Sequence, residues 1–334
     1  MSEVLPVAVV GCGRMGKLHS RVYSQMPGVR LVGVFDTVAA SAQAVATQYG
    51  CRVLASLDEV KREVKAVTIA TPTEHHLAMA KPLLEAGISC MIEKPLARNS
   101  NECRQLVDAA GRGGATLQVG HVERFNPAVR GIAVMGLTPR FIETVRVSPL
   151  TFRSIDVGVV LDVMIHDIDI VLSLAKSKVK HVEATGVSVI GGTEDVCNAR
   201  ITFENGCVAN MTASRLALKT ERRLRLATSD CWIAVDYAKK QGVIVRRGEN
   251  VQMIRDTVAK VRTGEIADPT KISFMDMVKL EPLVVDNQDQ LMAEQTDFVA
   301  AIQGGRRPTV NGEDGMNAVE LAERIIQAMG ATGI

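Results

Sequence analysis

The chain has 334 residues, of which 47% are hydrophobic and 23% charged, a composition typical of a soluble globular protein with room for two domains. Lysine and arginine number 39 against 37 aspartate and glutamate, so the net charge is only +2. This balance, together with an aromatic content of 3%, argues against a nucleic acid or an anionic membrane as a partner.

Seven cysteines are spread along the chain without C-x-x-C spacing, and no tight cysteine and histidine cluster suggests zinc. Reduced thiols in a cytoplasmic protein are therefore expected, with no metal site. No apolar run approaches the roughly 18 residues of a membrane-spanning helix. The first residues also lack the basic and long apolar regions of a secretory signal.

The first predicted elements are a strand, a glycine turn, a helix and a second strand. Residues 6–10 (PVAVV) form the first strand, GCGRMG follows at 11–16, and KLHSRVYSQM has helical periodicity. A second apolar strand, Val29 to Phe35, ends at Asp36. In this context a G-x-G-x-x-G sequence strongly indicates a dinucleotide-binding turn.

The glycine turn predicts NAD as the cofactor. Gly11 permits a tight turn, Gly13 lets the backbone approach a pyrophosphate, and Gly16 lets the helix pack against the strand. The helix N-terminus offers unpaired N–H groups to the phosphates. Asp36 is placed to bind the adenine ribose, and residues 37–39 hold no arginine for a 2′-phosphate, so NAD is expected rather than NADP. The predicted cofactor-binding residues of the turn are Gly11, Gly13, Arg14, Met15 and Gly16.

Strands and helices continue to alternate up to residue 119. Strands are predicted at 64–70, 88–92 and 116–119, and helices over 71–87 and 99–112. This alternation predicts an α/β fold with a doubly wound parallel sheet of the Rossmann type, in which ligands bind beyond the carboxyl ends of the strands. The candidates for cofactor contacts at those ends are Thr71, Pro72, Thr73, His76, Glu93, Lys94 and His121.

Lys94, in the sequence E-K-P at 93–95, directly follows a buried strand and is expected where a nicotinamide would bind. Pro95 stiffens the turn and favours an extended conformation at Lys94. An ammonium group there could hydrogen-bond a substrate hydroxyl and stabilise a developing alkoxide. A solvated lysine in a loop is the alternative.

After Gly120 the pattern changes to that of a mostly antiparallel sheet. The segments predicted as strands are 139–147, 182–190, 196–203, 206–214, 222–228, 231–236 and 243–246. Turn signals such as GGTED and ENG separate them. We therefore predict a Rossmann domain at 1–122 and a second α/β domain at 123–334. Its helices at 287–302 and 312–329 close the chain, and the last of them is expected to pack back on the first domain.

A helix predicted at 158–175 carries ionisable residues among apolar ones. In a helix, Asp162, His166 and Asp169 share one face, whereas Asp167 points towards solvent or a helix end. Asp162 and His166, one turn apart, are expected to form a carboxylate–imidazole hydrogen bond that favours His166 as a general base. A buried structural His–Asp pair is the alternative, and the role of Asp169 stays open.

Three motifs together resemble the Gfo/Idh/MocA family of NAD(P)-dependent sugar and polyol oxidoreductases. They are GCGRMG at 11–16, EKP at 93–95 and G-x-x-x-D-x-x-x-H at 158–166. The segment RRPTVNGEDGMNAVELAERI, 306–325, also looks like the closing helix of that family. The resemblance extends over nearly the whole chain.

The resemblance implies roles for the candidate residues. Lys94, Asp162 and His166 would be catalytic and would converge on the substrate carbinol, with His166 as the acid–base. The sequence T-P-x-x-x-H at 71–76 matches the cofactor loop of the family, although Thr73 stands where asparagine is common. Glu93 would approach the nicotinamide ribose.

A finer resemblance, carried by residues 119–129 and 159–174, is to the nucleotide-sugar dehydrogenases that oxidise the 3-hydroxyl of UDP-N-acetylglucosamine in the lipid A pathway. It implies a nucleotide-sugar substrate, a PLP aminotransferase as a functional partner, and a homodimer or homotetramer. The residues it implies for substrate binding are Lys94, Glu123, Arg124, Asn126, Asp162, His166 and Arg215. An interdomain ion pair is the alternative for Arg124, and a solvated or subunit-interface position is favoured for Arg223 and Arg225.

Two other functions remain open. A dehydrogenase for free inositol or a monosaccharide would carry the same motifs. A regulator that senses NAD without turnover would share the fold, although the joint presence of Lys94, Asp162 and His166 argues against it.

Overall fold

The first sheet consists of short strands, four of which are mostly apolar and almost fully buried. The structure is a computed structural model, and it describes residues 4–151, 157–190, 192–246, 250–273 and 280–330. Within these ranges the parallel strands of the first sheet are β1 (Leu5–Val10), β2 (Val29–Phe35), β3 (Arg52–Val53), β4 (Ala66–Ile69), β5 (Ser89–Glu93) and β6 (Leu117–Gly120). Their spatial order is β3-β2-β1-β4-β5-β6. The order reverses between β1 and β4, so a crevice opens there beyond the carboxyl ends of the strands.

Helices cover both faces of this sheet. They are α1 (Arg14–Gln25), α2 (Ala39–Tyr49), α3 (Leu57–Glu63), α4 (His76–Glu85) and α5 (Ser100–Gly113). Apolar residues of α1 and α2 pack on one face, and those of α3, α4 and α5 pack on the other. The sheet is therefore doubly wound, as the sequence predicts.

The second sheet is mostly antiparallel and has one apolar face. Its strands among the described residues are β7 (Phe141–Val147), β8 (Val179–Val187), β9 (Val196–Phe203), β10 (Val208–Ser214), β11 (Glu221–Ala227), β12 (Cys231–Asp236), β13 (Gln241–Arg246) and β14 (Leu280–Pro282). Their order is β14-β13-β12-β11-β7-β10-β9-β8, and β7 and β10 are a parallel pair. Alternation decides which face is buried, since Cys197 and Ala199 of β9 are buried while Asn198 and Arg200 between them are exposed.

Five further helices among the described residues follow the first sheet in the chain. They are α6 (Pro127–Ala133), α7 (Ile165–Ala175), α8 (Asn250–Arg262), α9 (Gln290–Gly304) and α10 (Gly312–Gly330). A single π-helical turn, Val160–Met164, precedes α7, which packs on the apolar face of the second sheet. The chain then returns to the first sheet, because α9 contacts α1, and α10 contacts both α5 and β8.

The predicted fold class is confirmed, and the differences are local. The strand predicted at 182–190 runs instead from Val179 to Val187, and the helix predicted at 158–175 is interrupted by the π-helical turn. The domain boundary after residue 122 stays a prediction. Among the residues described, no helix is both long enough and apolar enough to cross a membrane.

Candidate active site

The three glycines of the first turn meet different surroundings. Gly11 has a φ of +93°, and a Cβ there would lie 2.6 Å from the carbonyl oxygen of Ala70. A Cβ on Gly16 would lie 1.8 Å from the carbonyl oxygen of Gly11, so both positions need glycine for the fold itself. A Cβ on Gly13, by contrast, would meet nothing within 4 Å. The protein therefore leaves open the one glycine that a pyrophosphate would approach.

The N-terminus of α1 fits an anionic group in the same place. Gly13 is its N-cap residue, no side chain caps the helix, and no acidic residue lies in the first turn. The partial positive charge and free N–H groups of a helix N-terminus attract phosphates. Arg14 is exposed and Met15 is half-buried beside this opening.

Asp36, at the end of β2, is held against the glycine turn. Its Oδ2 accepts a hydrogen bond from the Cys12 N–H at 2.6 Å, and its Oδ1 accepts one from the Val38 N–H at 2.8 Å. The half-buried carboxylate is thus fixed at the edge of the crevice. This arrangement suits an acceptor for the ribose hydroxyls of a dinucleotide.

His76 joins the two loops that border the nicotinamide region. Its Nδ1 lies 3.0 Å from the carbonyl oxygen of Pro95, and its Nε2 lies 3.0 Å from that of Thr71. The ring is buried, and burial lowers the pKa of His76. A direct cofactor contact by His76, Pro72 or Thr73 stays a prediction. Both ring nitrogens of His76 already lie close to backbone carbonyl oxygens.

Glu93 is anchored behind the reactive lysine. Its Oε1 lies 2.7 Å from Nε2 of the buried His19 of α1. Burial would raise the pKa of Glu93, but the hydrogen bond and charge of His19 and the charge of Lys94 lower it. Gly120 leaves room for this side chain, since a Cβ there would lie 3.2 Å from the Glu93 carboxyl carbon.

Lys94 reaches from the end of β5 to the π-helical turn. Its Nζ donates to the carbonyl oxygen of Asp162 at 2.7 Å and to Oδ1 of Asp162 at 3.1 Å. The peptide bond between Lys94 and Pro95 is cis. The structure therefore brings together Lys94 and Asp162, which the sequence separates widely.

His166 is half-buried in the first turn of α7, and its environment differs from the predicted one. Among the described residues, its Nδ1 has no hydrogen-bond partner. The predicted hydrogen bond to Asp162 is wrong, because the Asp162 carboxylate is engaged by Lys94. The π-helical turn places an extra residue in the helix, so that Asp162 and His166 are not one α-helical turn apart.

The electrostatic environment keeps His166 neutral. Burial lowers its pKa well below 6.5, and the positive charges of Lys94 and Arg146 lower it further. An imidazole that is neutral at neutral pH can accept a proton, as a general base must.

Arg124 and Asp169 form a bidentate ion pair. The Nε and Nη2 atoms of Arg124 donate to Oδ2 and Oδ1 of Asp169 at 2.8 and 2.6 Å. Burial would raise the pKa of Asp169, but Arg124 lowers it. Arg124 therefore forms an ion pair, which accounts for Asp169, but both residues lie within the predicted domain 123–334, so the pair is not the interdomain one given as the alternative. Substrate binding by Arg124 stays a prediction.

The predicted orientation of Asp167 towards solvent is wrong. Asp167 is buried, and Nε and Nη2 of Arg146 donate to its two carboxylate oxygens at 3.1 and 2.9 Å. Arg146 also lies over the ring of Tyr237, 5.3 Å from its centre. Although burial disfavours its charge, Asp167 and Glu123 raise the pKa of Arg146.

The sequence interpretation missed Arg146, although a signal was available. Arg146 occupies the buried face of β7 together with Ile142 and Thr144. An arginine in the apolar register of an alternating strand requires a buried acidic partner.

The other predicted substrate residues lie in this polar network or near it. Oε1 of Glu123 lies 3.6 Å from Arg146 and 3.8 Å from Arg222, and Asn126 donates to Oε2 of Glu123 at 3.4 Å. Arg215 donates to Oδ1 of Asp195 at 2.6 Å and to the carbonyl oxygen of Val157, shortly before the π-helical turn, at 2.8 Å. Their contacts with a substrate stay predictions.

The basic segment 214–226 divides by strand face. Arg222 projects towards Glu123 and adds to the positive charge around His166. On the other face, Arg223 pairs with Glu221 and Arg225 with Glu143. Both pairs are partly solvated, and their place in a subunit interface stays a prediction.

Comparison with known families identifies both halves of the chain. Residues 5–121 match the Gfo/Idh/MocA oxidoreductase family, NAD-binding Rossmann fold, and residues 147–234 match the Gfo/Idh/MocA C-terminal domain. The predicted family resemblance, the NAD-binding fold and the assignment to the dehydrogenases are thereby confirmed.

Individual relatives cover almost the whole chain. UDP-N-acetylglucosamine 3-dehydrogenase of Acidithiobacillus ferrooxidans is 32% identical over 97% of this chain and 96% of its own length. Its structure superposes with a TM-score of 0.88 over 98% of both chains. Inositol 2-dehydrogenase of Rhizobium meliloti is 26% identical over 96% of both chains. The fold is shared with levoglucosan dehydrogenase in complex with NADH and L-sorbose, which is 19% identical in sequence. That structure superposes with a TM-score of 0.83 over 99% of this chain and 98% of its own.

Proposed function

The chain belongs to the Gfo/Idh/MocA family of oxidoreductases, and on that premise we propose that it is an NAD-dependent dehydrogenase of a nucleotide sugar. The proposed reaction oxidises the 3-hydroxyl of UDP-N-acetylglucosamine to the 3-keto sugar. One observation carries the proposal: Lys94, which follows β5, binds Asp162 and acts through its charge on His166, whose ring contacts His121 after β6. The 32% identity to a dehydrogenase of that sugar supports the choice of substrate.

In the proposed mechanism three residues contribute to the oxidation of one substrate hydroxyl group, each in a different role. His166, which is neutral, accepts the hydroxyl proton. The ammonium of Lys94 stabilises the negative charge that develops on the oxygen, while Asp162 holds that ammonium in position through two hydrogen bonds. A bound nicotinamide cofactor would supply the hydride acceptor.

NAD rather than NADP is proposed because of Asp36. Its carboxylate is fixed by two backbone N–H groups and cannot turn away from a 2′-phosphate without losing them. Residues 37–39 hold no arginine that would attract such a phosphate.

A substrate screen with site variants tests the proposal. NADH absorbance would be followed after NAD is mixed with UDP-N-acetylglucosamine, its uronic acid form or free inositol. We expect the first to react, and His166→Ala and Lys94→Ala each to lower turnover by about 100-fold or more while NADH affinity stays near normal. Full activity of either variant contradicts the assigned roles.

An inositol dehydrogenase is the second candidate, because a relative with that activity matches 96% of the chain. Oxidation of free inositol in preference to the nucleotide sugar would favour it. Tight NADH binding without turnover of any sugar would favour an NAD-sensing regulator instead.

We also propose a setting for the reaction. A 3-keto nucleotide sugar is a substrate for a PLP aminotransferase, which would place both proteins in lipid A biosynthesis. A homodimer or homotetramer is proposed on the basis of the partly exposed face of the second sheet, where Phe141 and Trp232 are exposed.

A further inference from the structure

The proposed mechanism leaves a proton on His166, in surroundings that do not favour a charged imidazole. Among the described residues no carboxylate binds its buried Nδ1. Positive charges that lower its pKa come from Lys94, Arg146 and Arg222. Because each of them disfavours a second positive charge, the proton must leave His166 before the next turnover.

His121, directly after β6, is the neighbouring group that can take this proton. Its ring is fully buried, and both of its nitrogen atoms lack a hydrogen-bond partner among the described residues. The ring centres of His121 and His166 lie 6.5 Å apart with the planes at 86°. One bridging water spans such a gap. Buried polar atoms are rarely left unpaired, so two free nitrogens on one ring indicate a use.

A carboxylate that acts electrostatically on His121, that of Asp169, borders an opening to solvent. Asp169, paired with Arg124, lines a cavity of about 530 Å³ between α7 and α10. Lys176 and Lys178, which are exposed, line the same cavity, so it reaches solvent.

Charges from several elements act on His121. Burial lowers its pKa, the carboxylates of Asp169 and Glu93 oppose that effect, and Arg124 and Lys94 add to it. The ring therefore stays neutral at rest, while the carboxylate of Asp169 favours its transient charging.

We propose that His121 relays the substrate proton from His166 to the cavity lined by Asp169. The proton breaks from the N–H of His166 and bonds to the bridging water, which gives one of its own protons to one nitrogen of His121, and the proton on the other nitrogen of His121 leaves towards the cavity. The hydride goes to NAD and one proton goes to solvent, so atoms and charge balance. This relay rests on the proposed role of His166 as the base.

Solvent isotope effects on variants of His121 test the relay. His121→Phe removes both nitrogens, and His121→Gln keeps a polar group that cannot pass a proton in this way. We expect each to lower turnover by about 10-fold or more, to raise the solvent deuterium isotope effect on turnover, and to recover activity when imidazole is added. Thr144→Val is the matched control, since it also removes a buried polar group without a partner among the described residues, and it should keep the unchanged protein's isotope effect.

The outcomes separate the relay from other roles. Weaker NADH binding, without an isotope effect or imidazole rescue, would overturn the relay and support the predicted cofactor contact of His121. If neither His121 variant folds, Asp169→Asn carries the test, because it removes the charge at the exit; an unchanged isotope effect there overturns the relay. Absence of sugar oxidation by the unchanged protein contradicts the proposed function, whereas oxidation indifferent to His121 contradicts the relay alone.

Discussion

Substitution of Gly13 by alanine should separate folding from cofactor binding. The new Cβ meets no protein atom within 4 Å, and the φ of −69° at Gly13 is accessible to any residue. The same substitution at Gly16 places its Cβ 1.8 Å from the Gly11 carbonyl oxygen. The two substitutions therefore differ in the space that the surrounding protein atoms leave for the new methyl group.

The expected magnitudes follow from these contacts. At Gly13, the lower entropy of the unfolded chain stabilises by about 0.4–1 kcal/mol, and the weaker N-cap costs a similar amount, so the net change stays within about 1 kcal/mol. At Gly16, the backbone must shift, at a cost of about 1–3 kcal/mol or more. Loss of one hydrogen bond to a charged phosphate costs about 1.5–3 kcal/mol, so Gly13→Ala should weaken NADH binding at least about 10-fold.

Urea unfolding and NADH fluorescence titration measure the two effects on the same preparations. The reasoning requires Gly13→Ala to unfold near the midpoint of the unchanged protein while binding NADH poorly. Gly13→Ala with unaltered NADH affinity would refute the idea that the open space at this glycine receives the pyrophosphate. Strong destabilisation of Gly13→Ala would refute the claim that the space is empty.

Three further predictions concern buried charge and the helix entrance. Arg146→Met should destabilise by about 3–5 kcal/mol in urea unfolding, because the Asp167 carboxylate is left without its partner, and adding Asp167→Leu should restore most of the loss; a single variant of unchanged stability contradicts this. In Gly158→Ala the new Cβ would lie 2.1 Å from Oε1 of Glu194, the atom that accepts a hydrogen bond from the Val160 N–H at the start of the π-helical turn. We therefore expect this variant to lose about 1–2 kcal/mol of unfolding free energy and part of its turnover. Below pH 6.5 His166 takes up a proton in the unfolded chain but not in the folded protein, so the free energy of unfolding should fall with decreasing pH. The slope should exceed that of His166→Ala by up to about 1.4 kcal/mol per pH unit. Equal slopes for the two proteins would show that this histidine is not held neutral.

Local patterns in the sequence are sufficient for five of the six described strands of the first sheet and for its turn, but not for the two-residue β3. Short apolar strands, glycines and an acidic residue at the end of β2 occur in a fixed order, and each has a local physical reason. The strands of the second sheet are also visible through alternation, and β9 and β12 match their predicted bounds. Short elements such as α3 and β14 are missing from the prediction because a few residues carry little periodicity.

The polar site is less predictable, because its partners are distant in sequence. The pairing of Asp167 with Arg146 depends on how α7 packs on β7. The pairing of Asp162 with Lys94 depends on the meeting of the two sheets and on a helical turn that does not follow 3.6-residue periodicity. The sequence spacing alone predicted a hydrogen bond between Asp162 and His166. In the folded protein the Asp162 carboxylate is instead bound by Lys94.

The number of residues in the π-helical turn sets the position of Asp162 relative to His166. Deletion of Val163 or Met164 would restore regular α-helical spacing and rotate Asp162 by about 100° around the helix axis relative to His166. Lys94 would then lose the partner that holds it, with every reactive side chain still present. In an alignment of relatives, a one-residue gap in this segment would therefore mark a changed or lost activity that a check of residue identities would miss.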